Sequence, residues 1–398
     1  MKEVVIVSAK RTPIGKFGGQ LASLTAVELG TIAAKAAIET AGISAEQIDQ
    51  AIFGNVLQAG SGQNVARQIA LKSGLRQSST AMTINEVCGS GLKALRLAQS
   101  AILMGDAEIV LVGGTESMSN APYLNTGMRF GTQFGHQTMV DSISSEGLND
   151  AFNQQPMGIT AENVAAKYQV TRQMQDEFAL NSHQKAAHAT TEGWFTDEVV
   201  PVTIQTRKQT IEVTQDEAIR PTTTLAAMAK LRSAFQTDGT VTAANASGIN
   251  DGASALIVMT KDKAESLGLV YQATLGTYQE VGIDPNYMGV SPVTAIEQLL
   301  AKTGQTKDAI DLFEINEAFA ASSLAVQQTL GLDPAKVNVA GGAVALGHPI
   351  GASGARIVTT LINQLRRTQQ TTGIASLCIG GGLGVAYEIQ LNEAWLND

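Results

Sequence analysis

The chain has 398 residues, 44% of them hydrophobic and 16% charged, enough to bury a large core and to build two or three domain-sized units. A net charge of −9 with a pI near 5.1 supplies no basic surface for a nucleic-acid backbone or an anionic membrane. Two cysteines, Cys88 and Cys378, fit neither a secreted disulfide framework nor a multi-cysteine zinc site. No apolar run approaches membrane-spanning length and the first residues carry no export signal, so the expectation is a cytoplasmic protein without membrane or nucleic-acid partners.

In chain order, the apolar run Val4 to Val7 comes first. Residues 34–58 then read as an amphipathic helix ending near Gly42, a short acidic segment, and a buried strand from Ala51 to Phe53. Cys88-Gly89-Ser90-Gly91 precedes a helical pattern at Leu92, Leu95 and Ile102, and the strand Ile109 to Val112 closes on Gly113-Gly114. Residues 296–320 repeat residues 34–58, with Gly304 on Gly42 and Ile310-Asp311 on Ile48-Asp49. Gly351-Ala352-Ser353-Gly354, before Ile357, Val358, Leu361 and Leu365, matches the Cys88 loop, and the strand Ile374 to Ile379 runs into Gly380-Gly381-Gly382.

The chain therefore divides into two similar α/β halves. Between them, residues 120–250 turn polar and rich in Asn, Gln, Thr and Met, an insertion with no counterpart in the other half. The expected domains are residues 1–119 with 251–269, a loop domain over 120–250, and residues 270–398. Alternating strands and helices predict mainly parallel sheets. Val385 to Leu391 alternates apolar and polar residues, the pattern of a strand with one solvated face near a sheet edge.

The chemistry concentrates in glycine-rich loops. Cys88 stands between a strand end and a helix start, where backbone N–H groups and the helix dipole favour a thiolate. A lone cysteine usually packs in a core, and the flanking glycines are what single this one out. His348 lies in a loop running from Gly341 to Gly354 that is too glycine-rich for packing alone, so something approaches its backbone closely. Imidazole is the natural base for a thiol at neutral pH, and the repeat sets this loop opposite the Cys88 loop. His136, His183 and His188 lie in polar stretches without such loops and read as structural. Cys378 ends a buried strand before three glycines, and Asn316 follows the second repeat's strand, where it could hold a water or cap a helix.

Taken together, Val87-Cys88-Gly89-Ser90-Gly91, Asn316-Glu317-Ala318-Phe319, Gly347-His348-Pro349-Ile350-Gly351 and Cys378-Ile379-Gly380-Gly381-Gly382 closely resemble the four active-site motifs of thiolases, in the family's order. The resemblance runs from Ala9-Lys10-Arg11-Thr12-Pro13 to the last strand. It takes in Gly113-Gly114-Thr115-Glu116-Ser117-Met118, Met157-Gly158-Ile159-Thr160-Ala161-Glu162 and Asn245-Ala246-Ser247-Gly248-Ile249-Asn250-Asp251-Gly252.

The resemblance implies a five-layered αβαβα core of two similar domains, a loop domain that binds coenzyme A, and a homotetramer built as a dimer of dimers. It implies that His348 activates Cys88, which takes an acetyl group from acetyl-CoA. Cys378 then deprotonates a second acetyl-CoA, whose carbanion attacks the acyl-enzyme to give acetoacetyl-CoA and free CoA. One oxyanion hole would be His348 with a water held by Asn316, the other the N–H groups of Cys88 and Gly380; no cofactor or metal is needed. Leu148, Met157, Arg220, Phe235, Ser247, Ala318 and Phe319 stand at the family's coenzyme A-binding positions. Pro156 and Ala227 depart from the histidine and serine often found there.

The acetoacetyl-CoA type is favoured by the segment Met157 to Val164, against a broad-chain degradative 3-ketoacyl-CoA thiolase. A decarboxylating condensing enzyme would carry a second histidine in place of Cys378, and a non-catalytic acyl-CoA-binding relative would be free to lose residues that are all retained here. Two cysteines facing one pocket would also be sensitive to oxidation.

Overall fold

The computed structural model describes residues 2–396; the expected domain limits at residue 1 and at residues 397–398 lie outside them. The first half begins with strand β1 (Val4–Arg11) and helix α1 (Ala26–Ala41), followed by β2 (Gln50–Gly54), α2 (Val65–Lys72), β3 (Thr80–Ile84), α3 (Ser90–Met104) and β4 (Ile109–Ser117). The polar segment contributes α4 (Met157–Lys167) and α5 (Arg172–Thr191), after which β5 (Asn250–Thr260) returns to the first half. The second half consists of β6 (Ala273–Gly282), α6 (Ser291–Thr303), β7 (Leu312–Ile315), α7 (Ala320–Leu330), α8 (Ser353–Arg367), β8 (Thr372–Ile379) and β9 (Leu383–Leu391).

The internal repeat is a repeat of hydrogen bonds as well as of residues. Helices α1 and α6 both stop at a glycine in the left-handed region, Gly42 at φ 68° and Gly304 at φ 69°, where a side chain is disfavoured. Beyond each, an aspartate ties its own segment to the start of a later strand. Asp49 accepts from the N–H groups of Glu108 and Ile109, and Asp311 accepts from those of Thr371 and Thr372.

The strands form one hydrogen-bonded path in the order β7-β8-β9-β6-β1-β5-β4-β2-β3, with the two-residue strand Gly15–Lys16 paired to β5. The halves are joined through β1 and β6 by only two residue pairs, Val5 with Thr274 and Ile6 with Ala273. Helices α1 and α2 cover the outer face of the first half and α6 the outer face of the second, while α3 and α8 lie side by side between the halves. The result is five layers, helix–sheet–helix–sheet–helix.

Two sequence expectations are corrected. The sheet is mixed rather than mainly parallel: among the described residues β2–β3, β2–β4 and β7–β8 are the parallel ladders of the sheet, and the ladders through β5, β1, β6 and β9 are antiparallel. The βα repeats supply the parallel strands, and each half is then completed by strands added antiparallel. The alternating strand β9 is not near an edge, because it pairs with both β8 and β6 and all its residues from Gly384 to Ile389 are buried. Its buried Glu388 is satisfied internally, accepting from the Thr277 N–H and the Gln305 amide, and Gln390 is exposed.

The central layer explains why the glycines recur in both halves. Every residue of α8 from Ser353 to Leu365 is buried, and its N-terminal end packs directly on that of α3. A Cβ on Gly354 would stand 2.2 Å from the Leu92 nitrogen, and one on Gly91 would stand 2.6 Å from the Ala355 nitrogen. Backbone contact at this crossing brings the loops before the two helices, which carry Cys88 and His348, to the same place.

Candidate active site

The loop before α3 is built as a tight elbow. Val87 has φ 47°, a left-handed conformation that is costly for a β-branched residue. The Asn85 side chain accepts from its N–H, and the Ser90 hydroxyl donates to its carbonyl while accepting from the Glu86 N–H. The strained turn lifts the half-buried Cys88 side chain into the cavity. On the other side, Gly347 at φ 114° leaves no room for a side chain against Asn250 and Ile14, and the Asn250 amide oxygen accepts from the His348 N–H at 2.9 Å.

Between the loops, His348 Nε2 lies 3.2 Å from Cys88 Sγ. His348 Nδ1 lies 2.6 Å from Ser353 Oγ, which itself donates to the Pro349 carbonyl. A hydroxyl whose hydrogen is used on a carbonyl can only accept from the ring, so Nδ1 carries the proton and Nε2 offers its lone pair to the thiol. The ring is buried, and burial first, then the Arg356 cation, push its pKa down to about 3. It is neutral at physiological pH.

The backbone N–H groups expected to favour a Cys88 thiolate are present, and burial opposes them. Burial raises the Cys88 pKa to about 11, outweighing the N–H groups of Gly380 and of Cys88 itself that favour the anion, and the nearby Glu116 adds to the rise. Thiol and imidazole therefore rest as a neutral pair. Cys378 is 2% exposed and packs in a cluster with Met157, Met288, Ala318 and Phe319; burial and the neighbouring Cys88 push it up to about 12. Asn316 is buried with its amide nitrogen 3.5 Å from each ring nitrogen of His348.

Cys88, His348 and Gly380 open onto a cavity of about 450 Å³. Of the positions expected to bind coenzyme A, Leu148, Met157, Phe235, Ser247, Ala318 and Phe319 line it, and Arg220 does not. Arg220 is exposed outside the cavity and its backbone N–H donates to the buried His183 Nδ1. The lining is braced by local contacts. Glu162 on α4 accepts from the N–H groups of Thr240 and Val241, fixing the loop that carries Phe235. Phe235 lies flat on Gly158, where a Cβ would fall 2.2 Å from its ring, and meets Phe319 edge to face. The Ser247 N–H donates to the Ala318 carbonyl, which pins the inserted segment to the second half.

Residues that sequence reasoning did not single out complete the surroundings. Glu116 is buried and accepts from the Asn55 amide and the N–H groups of Val56, Leu57 and Gly351, tying the His348 loop to β4. Arg356 and Glu314 form a buried ion pair beside Asn316. A carboxylate inside the apolar run Leu312 to Ile315, matched with an arginine one turn into α8 beside the apolar Ile357 and Val358, was the available signal. Among the described residues, no group of three or more His, Cys, Asp or Glu is placed to hold a metal ion.

A doubled α/β scaffold that sets a thiol against an imidazole across a preformed cavity is a thiolase arrangement, and the chain belongs to that family: residues 4–262 match the thiolase N-terminal domain and residues 269–391 the thiolase C-terminal domain. It is 54% identical to an acetyl-CoA acetyltransferase of Cupriavidus necator, over 98% of this chain and 100% of that one. It is 52% identical to an acetyl-CoA acetyltransferase of Pseudomonas aeruginosa, over 98% and 99%. Its structure is similar to the crystal structure of the Bacillus anthracis acetyl-CoA acetyltransferase, with TM-score 0.96 and 43% identity over 98% of this chain and 99% of that one. A human mitochondrial 3-ketoacyl-CoA thiolase in complex with CoA superposes with TM-score 0.94 and 44% identity, over 98% of each chain.

Proposed function

We propose that this chain is an acetyl-CoA C-acetyltransferase that condenses two acetyl-CoA molecules to acetoacetyl-CoA and CoA, reversibly, through an acetyl group on Cys88. The observation that carries the reading is the placement of Cys88 Sγ 3.2 Å from His348 Nε2 in a largely apolar cavity that Gly380 also lines. The level of identity to acetyl-CoA acetyltransferases supports the substrate class.

The protonation states give a balanced sequence. His348 Nε2 takes the Cys88 proton as sulfur attacks the acetyl carbonyl, whose oxygen is held by the N–H groups of Cys88 and Gly380. The departing CoA sulfur takes the proton of the Cys378 thiol, leaving a Cys378 thiolate beside a His348 imidazolium. That thiolate removes the α-proton of the second acetyl-CoA, and the enolate oxygen is stabilised by imidazolium and by a water on Asn316. The α-carbon attacks the acetyl group, and Cys88 sulfur leaves and recovers its proton from His348. No cofactor or metal enters.

In this reading the protein is a cytoplasmic homotetramer, a dimer of dimers. Among the described residues no helix is long and apolar enough to cross a membrane. The segment 128–139 carries Met128, Phe130, Phe134 and Met139 on the protomer surface, an apolar patch suited to burial between copies.

Rates of CoA-dependent cleavage of 3-ketoacyl-CoA substrates of increasing chain length test the proposal, with Cys88→Ala setting the background. Cleavage of acetoacetyl-CoA alone, abolished in the variant, supports it. Comparable rates on long chains would move the protein to the degradative class, and silence on every substrate would favour a non-catalytic acyl-CoA binder.

A further inference from the structure

A buried cation stands in the wall behind the reacting groups, and none of the proton transfers uses it. Arg356 lies on α8, 2% exposed, with Nη1 2.7 Å from Glu314 Oε1 on β7 and Nη2 3.5 Å from Asn316 Oδ1. A guanidinium has donors only, so the end of the Asn316 amide that faces it must be the oxygen. The amide nitrogen then faces the opposite way, towards the His348 ring at 3.5 Å. Neither ring nitrogen has a lone pair free for it, since Nδ1 carries the proton shared with Ser353 and Nε2 is engaged with the Cys88 thiol. The Asn316 N–H groups are left for an oxygen arriving in the cavity, directly or through a water. With the amide reversed, a lone pair would face that oxygen instead.

We propose that Arg356, anchored by Glu314, is a positioning residue for the carbon–carbon bond step: it fixes the polarity of the Asn316 amide so that N–H groups, and not the carbonyl oxygen, serve the enolate oxygen of the second thioester. The inference rests on the acetyltransferase reading above. Arginine suits the task because its planar fork reaches a carboxylate and an amide oxygen together, and a lysine ammonium on a single stem does not hold both in that geometry. The repeat sharpens the point. Lys93 stands on α3 where Arg356 stands on α8, yet it is partly exposed and bridges Glu86 and Glu280 with no amide to orient.

The test separates two reactions of one enzyme. Exchange of acetyl between acetyl-CoA and isotopically labelled CoA needs only acylation and deacylation of Cys88, whereas cleavage of acetoacetyl-CoA by CoA also passes through the enolate. Two proteins are compared with wild type: Arg356→Lys, and Arg356→Gln combined with Glu314→Gln. The pair leaves no buried charge without a partner and so retains the fold, which thermal melting verifies. Exchange is expected to stay within about threefold of wild type in both, while kcat for cleavage falls at least about thirtyfold at unchanged KM for CoA, because a misoriented oxyanion donor forfeits much of its contribution. Adding Arg356→Lys to Asn316→Ala is expected to lower cleavage no further. Exchange and cleavage falling in proportion, cleavage unchanged in both proteins, or additive losses with Asn316→Ala would each overturn the assignment. A wild-type protein that catalysed neither reaction would overturn the acetyltransferase reading itself.

Discussion

The two halves share a scaffold and divide the chemistry. In the first, the loop before α3 is strained at Val87 and held by Ser90, so that a thiol points outward. In the second, the loop before α8 relies on glycines, and Ser353, the counterpart of Ser90, turns its hydroxyl to the imidazole. Equivalent serines thus do different work, one bracing a turn and the other also selecting a tautomer. Duplication thus supplies position, through the crossing of α3 and α8, and single side chains at the loop tips supply function.

The sharpest way to break this comparison is to ask whether the first half activates its cysteine unaided. With Cys88 at about 11 and His348 at about 3, the resting pair is neutral, and the thiolate fraction grows as pH rises towards the thiol's pKa. Iodoacetamide alkylation of Cys88 in the free protein is expected to rise about tenfold per pH unit from pH 6 to 9, about a thousandfold in all. A rate already level across that range would mean a preformed thiolate–imidazolium pair.

The crossing of the halves is open to a direct comparison of two glycines. Gly354→Ala drives a methyl into the backbone of α3 at Leu92 and is expected to destabilise the fold by about 3 kcal/mol. Gly42→Ala, at a helix end with open space around it, is expected to cost only about 1 kcal/mol for the left-handed conformation. Denaturant midpoints for the two variants, read with equal m-values, check the ranking. The smallest effect on the protomer belongs to the inserted segment. Phe130 and Phe134 are 97% and 100% exposed, so replacing both with serine is expected to change protomer folding by less than about 0.5 kcal/mol while lowering the oligomeric mass seen by sedimentation.

Much of this was legible in the sequence because it rests on local signals: the glycine that ends each repeated helix, the Ile-Asp pair before each strand, and the glycine loops around Cys88 and His348. Strand direction was not, since a period-two pattern is the same whichever way a neighbour runs. The interior place of β9 was hidden for a related reason. Its alternating Glu388 looked solvated, whereas it is satisfied by Thr277 and Gln305 from distant parts of the chain. The groups that favour a Cys88 thiolate were legible because a helix start is visible in sequence, and the burial that opposes them was not. Arg356, Glu314 and Glu116 escaped notice because buried charges acquire meaning only from partners that the fold supplies.

The central claim is that one half provides the acyl acceptor and the other the base. It is tested most directly by incubating the protein with acetyl-CoA alone, quenching in acid, and mapping acetyl groups by peptide mass spectrometry. An acetyl group is expected on Cys88, none on Cys378, and a far lower yield in His348→Ala. Acetyl on Cys378, or undiminished labelling of Cys88 without His348, would contradict it.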